Sequence, residues 1–162
     1  MNPLRAIAAA ALLLGAAALP STLLHADTDA NGFVRIQPDA IDWKEVPDSG
    51  GVRTAVVAGD PATPGVYVVR VWFPPGVMSR PHAHPDDRYA IVIKGTWWTG
   101  TGETFDPKST KPVNAGGFMK HPAGQVHYDG AKDEEVILQL IGIGPGGTTY
   151  AHPEDGRFGS SK

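Results

Sequence analysis

The stretch RPHAHPDDRYAIVIKG, residues 80–95, contains the pattern that decides the fold of this chain. His82 and His84 stand one residue apart, and a run rich in apolar residues follows them. Residues i and i+2 of a β-strand point to the same face, so the two imidazoles would lie side by side. Two neighbouring imidazoles can bind one divalent metal ion. The pair alone is a weak indication, because most such pairs are surface or hydrogen-bonded residues.

The composition around this stretch predicts a soluble, all-β domain. The 162 residues include 20 glycines and 15 prolines without a repeating period. They separate short runs rich in β-branched and aromatic residues, such as VYVVRVWFPPG at 66–76. Outside the N-terminal segment, no helical periodicity outlasts about two turns. Strands at such short spacing are typical of a sandwich or a small barrel.

The first 26 residues have the pattern of a secretory signal peptide. Arg5 precedes an apolar run of 14 residues at 6–19, and Ala26 suits the last position of the leader. The run is too short to span a bilayer comfortably, so no stable membrane anchor is expected. We expect a periplasmic or secreted protein with a single domain at 27–162. An uncleaved N-terminal anchor is the alternative.

Charge and cysteine content exclude several classes of function. The chain has 14 basic and 17 acidic residues, a net charge of −3, which gives no basic surface for nucleic acid. It has no cysteine, so disulfides and thiolate metal ligands are excluded. The domain must therefore be stabilised by its core, together with any bound metal or subunit contact.

Spaced glycines and a third histidine extend the opening pattern. Gly76 is followed by five residues and His82, while His84 is followed by three residues and Arg88, and six more lead to Gly95. Further along the chain, one segment has the spacing Gly, five residues, Pro-x-Gly, two residues, His. Its members are Gly116, Pro122, Gly124 and His127. The Pro-x-Gly turn would reverse the chain and bring His127 to the interior that His82 and His84 face.

These two segments resemble the two sequence motifs of the cupin superfamily, in the order that the family has them. The resemblance covers a core of about residues 33–152 and implies a double-stranded β-helix, a jelly-roll barrel. It also implies a divalent metal ion inside the barrel, bound by His82, His84 and His127. Imidazole ligands suit Fe, Zn, Cu and Ni, and they favour Mn less.

Arg88 departs from the family pattern, which usually has a glutamate ligand at that position. A guanidinium has no lone pair for a cation, so Arg88 cannot be a ligand, and Asp86 or Asp87 is the candidate for a fourth ligand beside the three histidines. One alternative is that it binds a substrate carboxylate beside the metal. The other is that it points outward and pairs with Asp86 or Asp87. We expect Arg88 to begin the strand after the histidines, with its guanidinium turned away from them because of charge repulsion.

Other residues are weaker candidates for the site. Asp87 and Gln139 join Arg88 as catalytic candidates, since Gln139 interrupts an apolar run and needs a polar partner. Strand alternation turns one of Trp97 and Trp98 inward, where its ring is either plain core or the wall of a ligand cavity.

Two more histidines are expected to lie outside the metal site. His121 immediately precedes Pro122 and is expected at the rim of the barrel. His152 lies in the polar C-terminal segment and is expected on the surface.

Two functions remain open at this stage. The first is a metal-dependent enzyme, dioxygenase-like or otherwise, acting on a small molecule. The second is a non-catalytic module that binds a small molecule or senses a metal with the same cavity. A homodimer is expected, because pairing of strand edges removes exposed hydrogen-bonding groups.

Overall fold

The computed structural model describes residues 27–162, so the predicted signal peptide lies outside the described residues. The all-β prediction is confirmed, because antiparallel sheets form almost all of the regular structure. No helix in this part of the chain has the length and the hydrophobicity to cross a bilayer.

Fifteen short strands and three single-turn 3-10 helices follow one another along residues 27–162. The strands of the first half are β1 Asp27–Thr28, β2 Val34–Arg35, β3 Lys44–Glu45, β4 Arg53–Ala58, β5 Gly65–Phe73, β6 Val77–Ser79, β7 His82–Ala83 and β8 Arg88–Lys94. Those of the second half are β9 Thr96–Thr101, β10 Lys111–Asn114, β11 Phe118–His121, β12 His127–Gly130, β13 Val136–Gly144, β14 Thr149–Tyr150 and β15 Phe158–Ser160. The 3-10 helices are Pro38–Ala40, Pro107–Ser109 and Pro153–Asp155.

Two large sheets form the barrel. The first has the order β11-β8-β13-β5-β4-β3. The second has the order β10-β9-β12-β6-β15, and β7 joins it by pairing with both β12 and β14. Strands β1 and β2 form a separate ribbon.

The inner faces of the two sheets meet in one hydrophobic core. Leu138 and Leu140 of β13 contribute from the first sheet, while Trp97 of β9 contributes from the second. Strand alternation places the intervening residues of β13 on the opposite face of the sheet. The other buried members of the core are Val52, Phe73, Ala90, Val92, Ala131 and Val136.

Two glycines of the sequence motifs are required by the backbone. Gly95 joins β8 to β9 with φ +77°, and a Cβ there would collide with the carbonyl oxygen of Glu135. Gly124 has φ +71°, and its N–H donates to the carbonyl oxygen of His84 at 2.8 Å. This hydrogen bond ties the Pro-x-Gly turn directly to the histidine pair.

Candidate metal centre

Strand pairing brings the three predicted ligands together. His82 begins β7 and His127 begins β12, and these two residues are partners in the register of the two strands. His84 follows β7 and is held by the hydrogen bond from Gly124. All three side chains are buried. The convergence expected from the His-x-His spacing and the Pro-x-Gly turn is therefore present in the structure.

The three imidazole rings are close enough to share one ion. Their centroids lie 4.9 Å apart for His82 and His84, 4.4 Å for His82 and His127, and 5.2 Å for His84 and His127. One ring nitrogen from each lies within 4.8 Å of the other two. Three nitrogens that each lie about 2.1 Å from one ion are about 3.0–3.6 Å apart, a spacing that lies inside this limit.

Backbone carbonyls fix the orientation of all three rings. In each ring Nδ1 lies at hydrogen-bond distance from a carbonyl oxygen, and a carbonyl can only accept, so Nδ1 carries the hydrogen. Nε2 then keeps its lone pair, which is the arrangement that a metal-ligating histidine needs. The pairs are His82 with Arg80 (2.7 Å), His84 with Gly147 (2.7 Å) and His127 with Gln125 (3.1 Å).

Burial keeps these imidazoles neutral near pH 7. Loss of hydration lowers the pKa of His82 to about 4, against a smaller opposing effect of the Asp129 carboxylate. Burial, followed by the nearby Arg88 guanidinium, lowers the pKa of His84 to about 3. The pKa of His127 is also lowered, chiefly by burial. Neutral imidazoles are the form that binds a metal ion.

Arg88 begins β8 as expected, but the prediction that its guanidinium turns away from the histidines is wrong. Its Nη1 lies 2.8 Å from Nε2 and 3.1 Å from Nδ1 of His84, so the guanidinium lies against that ring. Nδ1 carries its hydrogen toward the Gly147 carbonyl, which leaves Nε2 as the atom that can accept from the guanidinium. Repulsion does not prevent this contact, because the neutral imidazole is an acceptor. The outward alternative also fails, since Arg88 lines the cavity and Asp87 pairs instead with Lys120 at 2.6 Å and accepts from the N–H of Ala123 at 2.9 Å. Neither Asp86 nor Asp87 lines the cavity, so neither is placed as a fourth ligand.

The expected rim position of His121 is wrong as well. The side chain is 3% exposed, and its ring lies 3.7 Å from the ring of His127, centroid to centroid. It belongs to β11, where it pairs with Arg88 of β8, and its neighbour Lys120 takes the outer face. Burial, followed by the nearby His127, lowers the pKa of His121 to about 2.

Asp129 is a cavity residue that the sequence analysis missed. It is 5% exposed, and its Oδ2 lies 3.7 Å from Nε2 of His127. Both residues belong to β12 two positions apart, so they share a strand face. The alternation argument that placed His82 beside His84 would have found Asp129.

The remaining candidates are divided between the cavity and the outside. Trp97 is fully buried against the ring of His121, 5.5 Å between centroids, and it lines the cavity. Trp98 points outward, where the ammonium of Lys132 lies over its ring. Gln139 does not reach the cavity, because its Oε1 accepts from Nε of Arg70 at 3.2 Å on the outer face.

A cavity of about 190 Å³ surrounds these groups. Its polar wall is formed by the histidines, Arg88 and Asp129, and its apolar wall includes Trp97 and Leu138. The ring of Tyr150 lies 5.6 Å from that of His82, on the same cavity wall. A space of this size accommodates an ion with a few water molecules or a small organic molecule.

Sequence comparison finds a family match and two plant relatives. The model of the ChrR cupin-like domain matches residues 31–145. The putative germin-like protein 9-2 of Oryza sativa subsp. japonica is 29% identical over 101 residues, which are 60% of this chain and 47% of that protein. The putative germin-like protein 2-1 of the same organism is 29% identical over 63% of this chain and 50% of its own length. The chain spans about half the length of these curated relatives.

Solved structures confirm the predicted double-stranded β-helix. A cupin-like protein from Thermotoga maritima superimposes with a TM-score of 0.56 at 22% identity, over 68% of this chain and 87% of that one. The DMSP lyase DddQ from Ruegeria pomeroyi superimposes with a TM-score of 0.57 at 16% identity, over 70% and 62%. At these low identities, the two superpositions establish a common fold.

Proposed function

The chain belongs to the ChrR cupin-like domain family, and we propose that it is an exported protein that binds a divalent metal ion and converts a small molecule. His82, His84 and His127 are the proposed ligands. The observation that carries this proposal is their common hydrogen-bonding pattern. Each Nδ1 is committed to a backbone carbonyl, which leaves three Nε2 lone pairs in one buried cavity.

The residues present fit an ion in this cavity. Within residues 27–162, Nε2 of His127 has no hydrogen-bond partner although it is buried. Such a group costs free energy unless something binds it. A bound divalent ion would supply Lewis acidity, polarising a carbonyl or activating water or oxygen. The metal is Fe, Zn, Cu, Ni or, with less preference, Mn.

Arg88 and Trp97 support a small, anionic substrate. The Arg88 guanidinium lines the cavity, and among the described residues it forms no ion pair with a carboxylate. Arginine binds carboxylates through paired hydrogen bonds, so a substrate carboxylate beside the ion would complement it. The buried ring of Trp97 offers an apolar wall for the rest of the molecule. The lyase with the same fold supports an enzymatic role.

The alternative is a non-catalytic protein that senses a metal or binds a small molecule. One contact favours it: the Arg88 guanidinium lies against the ring of His84, 2.8 Å from the Nε2 that the ion would use. Ion binding at His84 would therefore displace the guanidinium, and a displaced charged side chain is the kind of response that a sensor requires.

Metal analysis of the purified protein tests the binding of a divalent ion, which the proposed enzyme and the proposed metal sensor share. We expect about one divalent ion per chain, with affinity at least about 10-fold weaker in His127→Ala, since even changes to the partners of metal ligands cost about that much. His152→Ala is the matched control, because that side chain is 47% exposed. Unchanged affinity in His127→Ala would refute the metal site.

Turnover by the metal-loaded protein then separates enzyme from sensor. Oxygen consumption and substrate loss would be followed with phenols, flavonols and diketones, each with and without a carboxylate. Turnover that prefers the carboxylate-bearing member supports the enzyme and the role of Arg88. A change of tryptophan fluorescence on ion binding, without turnover of any compound, supports the sensor.

We also propose export and a homodimer. Mature protein recovered from its native host should begin near Asp27, and an intact Met1 would refute export. Exposed apolar side chains on the outer face of the first sheet support self-association. They are Val66, Ile91, Ile93, Phe118 and Ile143. Light scattering at tens of micromolar should give a dimer mass, and a monomer mass would refute it.

A further inference from the structure

His121 and Asp129 are two buried polar groups that the three-histidine site does not use. Within the described chain, neither ring nitrogen of His121 has a hydrogen-bond partner. The ring lies between Trp97 and His127 and has no contact with bulk water to compensate. Burying a polar group without a partner costs free energy, which a bound ligand would offset. His121 therefore has the features of a ligand that faces its ion.

The backbone around Asp129 holds its carboxylate in the cavity. Its N–H donates to Oγ of Ser79 at 3.2 Å, and that hydroxyl donates to the Asp129 carbonyl at 3.0 Å. These two hydrogen bonds use the backbone N–H and the carbonyl of Asp129 and hold this residue of β12 against β6. The carboxylate itself lines the cavity, 3.7 Å from Nε2 of His127.

His121 and Asp129 lie close to a ligand atom of the three-histidine site, namely that of His127. One ligand atom each from His121, His127 and Asp129 lies within 4.8 Å of the other two. Since Nδ1 of His127 is bound to a carbonyl, Nε2 is its one available ligand atom. An ion on that atom would have both His121 and Asp129 within reach.

Charge also favours a carboxylate in this position. Three neutral imidazoles leave the full charge of a divalent ion uncompensated in a poorly solvated cavity. The first motif would ordinarily supply a negative charge from β8, but Arg88 stands there. Asp129 is the buried carboxylate that faces the same cavity, and Arg88 lies against His84.

We propose that Asp129 and His121 are ligands of the ion bound by His127, so that the carboxylate of the site is supplied by β12 instead of β8. This inference rests on the proposed metal site and adds two ligands to it. A carboxylate oxygen is a hard ligand, and together with imidazole nitrogens it suits Fe, Mn or Zn. Mn gains most from it, because imidazoles alone favour Mn less.

Metal affinity and the spectrum of bound cobalt test this assignment. The dissociation constants of Zn²⁺ and Co²⁺ would be measured by chelator competition on the whole mature chain carrying Asp129→Asn or His121→Phe. Each variant should bind at least about 10-fold more weakly, the lower end of what loss of a supporting residue costs. The visible absorption of bound Co²⁺ should change in position or intensity. Asp133→Asn and His152→Phe, both exposed, are the matched controls.

A rescue separates ligand loss from misfolding. Adding Arg88→Glu to Asp129→Asn returns a carboxylate to the cavity from β8 and should recover most of the lost affinity. A variant that is merely misfolded cannot be rescued in this way. Wild-type affinity and cobalt spectra in both single variants would overturn the inference while leaving the three-histidine site intact. Absence of ion binding by the wild type, or full affinity in His127→Ala, would overturn both.

Discussion

Polar side chains in the cavity of the barrel differ from those on its outer surface in whether they have partners within the protein. Outside, several charged and amide groups have partners within the protein. The pairs are Lys120 with Asp87, Arg70 with Gln139 and Lys94 with Glu135. Inside, several buried polar atoms of the described chain lack partners. They are both nitrogens of His121, Nε2 of His127, Nε of Arg88 and Nε1 of Trp97.

The difference teaches where stability and function lie in this molecule. An exposed pair contributes only about 0–1 kcal/mol, so the outer pairs can be lost cheaply. An unpartnered buried group costs about 1–3 kcal/mol, so the cavity lowers the stability of the fold. Such a concentration of unfavourable groups is typical of a site shaped for a ligand.

Lowering the pH should have the largest effect on the free energy of unfolding, because it protonates the buried histidines of the cavity when the chain unfolds. His82 has a pKa of about 4 in the folded protein, well below the ordinary value of 6.5, because of burial. Between these values the unfolded chain binds more protons, so stability is fully present above about pH 6.5 and falls as the pH drops towards 4. A shift of this size corresponds to about 3 kcal/mol for His82, and His84 adds to it. Urea unfolding of the metal-free protein from pH 7.5 to 4 measures the loss.

The outer surface should respond in a different pH range. Lys120 and the Ala123 N–H lower the pKa of Asp87, so its contribution is present above the ordinary carboxyl pKa and is lost only below it. A stability of the metal-free protein that is flat between pH 7 and 5 would show that the buried histidines do not carry the cost assigned to them.

His121→Phe should have the next largest effect, and it should be stabilising in the metal-free protein. The change removes two unpartnered nitrogens and keeps an aromatic ring between Trp97 and His127. We expect a gain of about 1–3 kcal/mol, the cost of an unsatisfied buried group. Urea midpoints of the two proteins in chelator measure it, with His152→Phe as control. A loss of stability would mean that His121 is a well-accommodated core residue.

The sequence was sufficient for the fold and for the three convergent histidines. Strand alternation relates His82 to His84, and the Pro-x-Gly turn delivers His127 by short-range geometry. Asp129 was also within reach, because it stands two residues after His127 on the same strand.

The remaining positions depended on tertiary structure. The inward direction of His121 follows from the pairing of β11 with β8, which local spacing before a proline does not determine. Gln139 was ambiguous because β13 is apolar on both faces, so its alternation is hidden in the sequence. The contact of Arg88 with His84 required both the barrel and the neutral state of the imidazole.

Lys120→Ala should have the smallest effect, and it sharpens the comparison because Lys120 and His121 are neighbours on β11. The ammonium of Lys120 pairs with Asp87 at the surface, where the two side chains are 45% and 40% exposed. Water replaces the lost contact, and Asp87 keeps its hydrogen bond from the Ala123 N–H. The free energy of unfolding should therefore fall by less than about 1 kcal/mol, and by less still in 1 M NaCl, which screens exposed charges. Urea unfolding at both salt concentrations measures this. A loss above about 2 kcal/mol, unaffected by salt, would place a dominant interaction at the rim and remove the contrast between adjacent outward and inward residues of one strand.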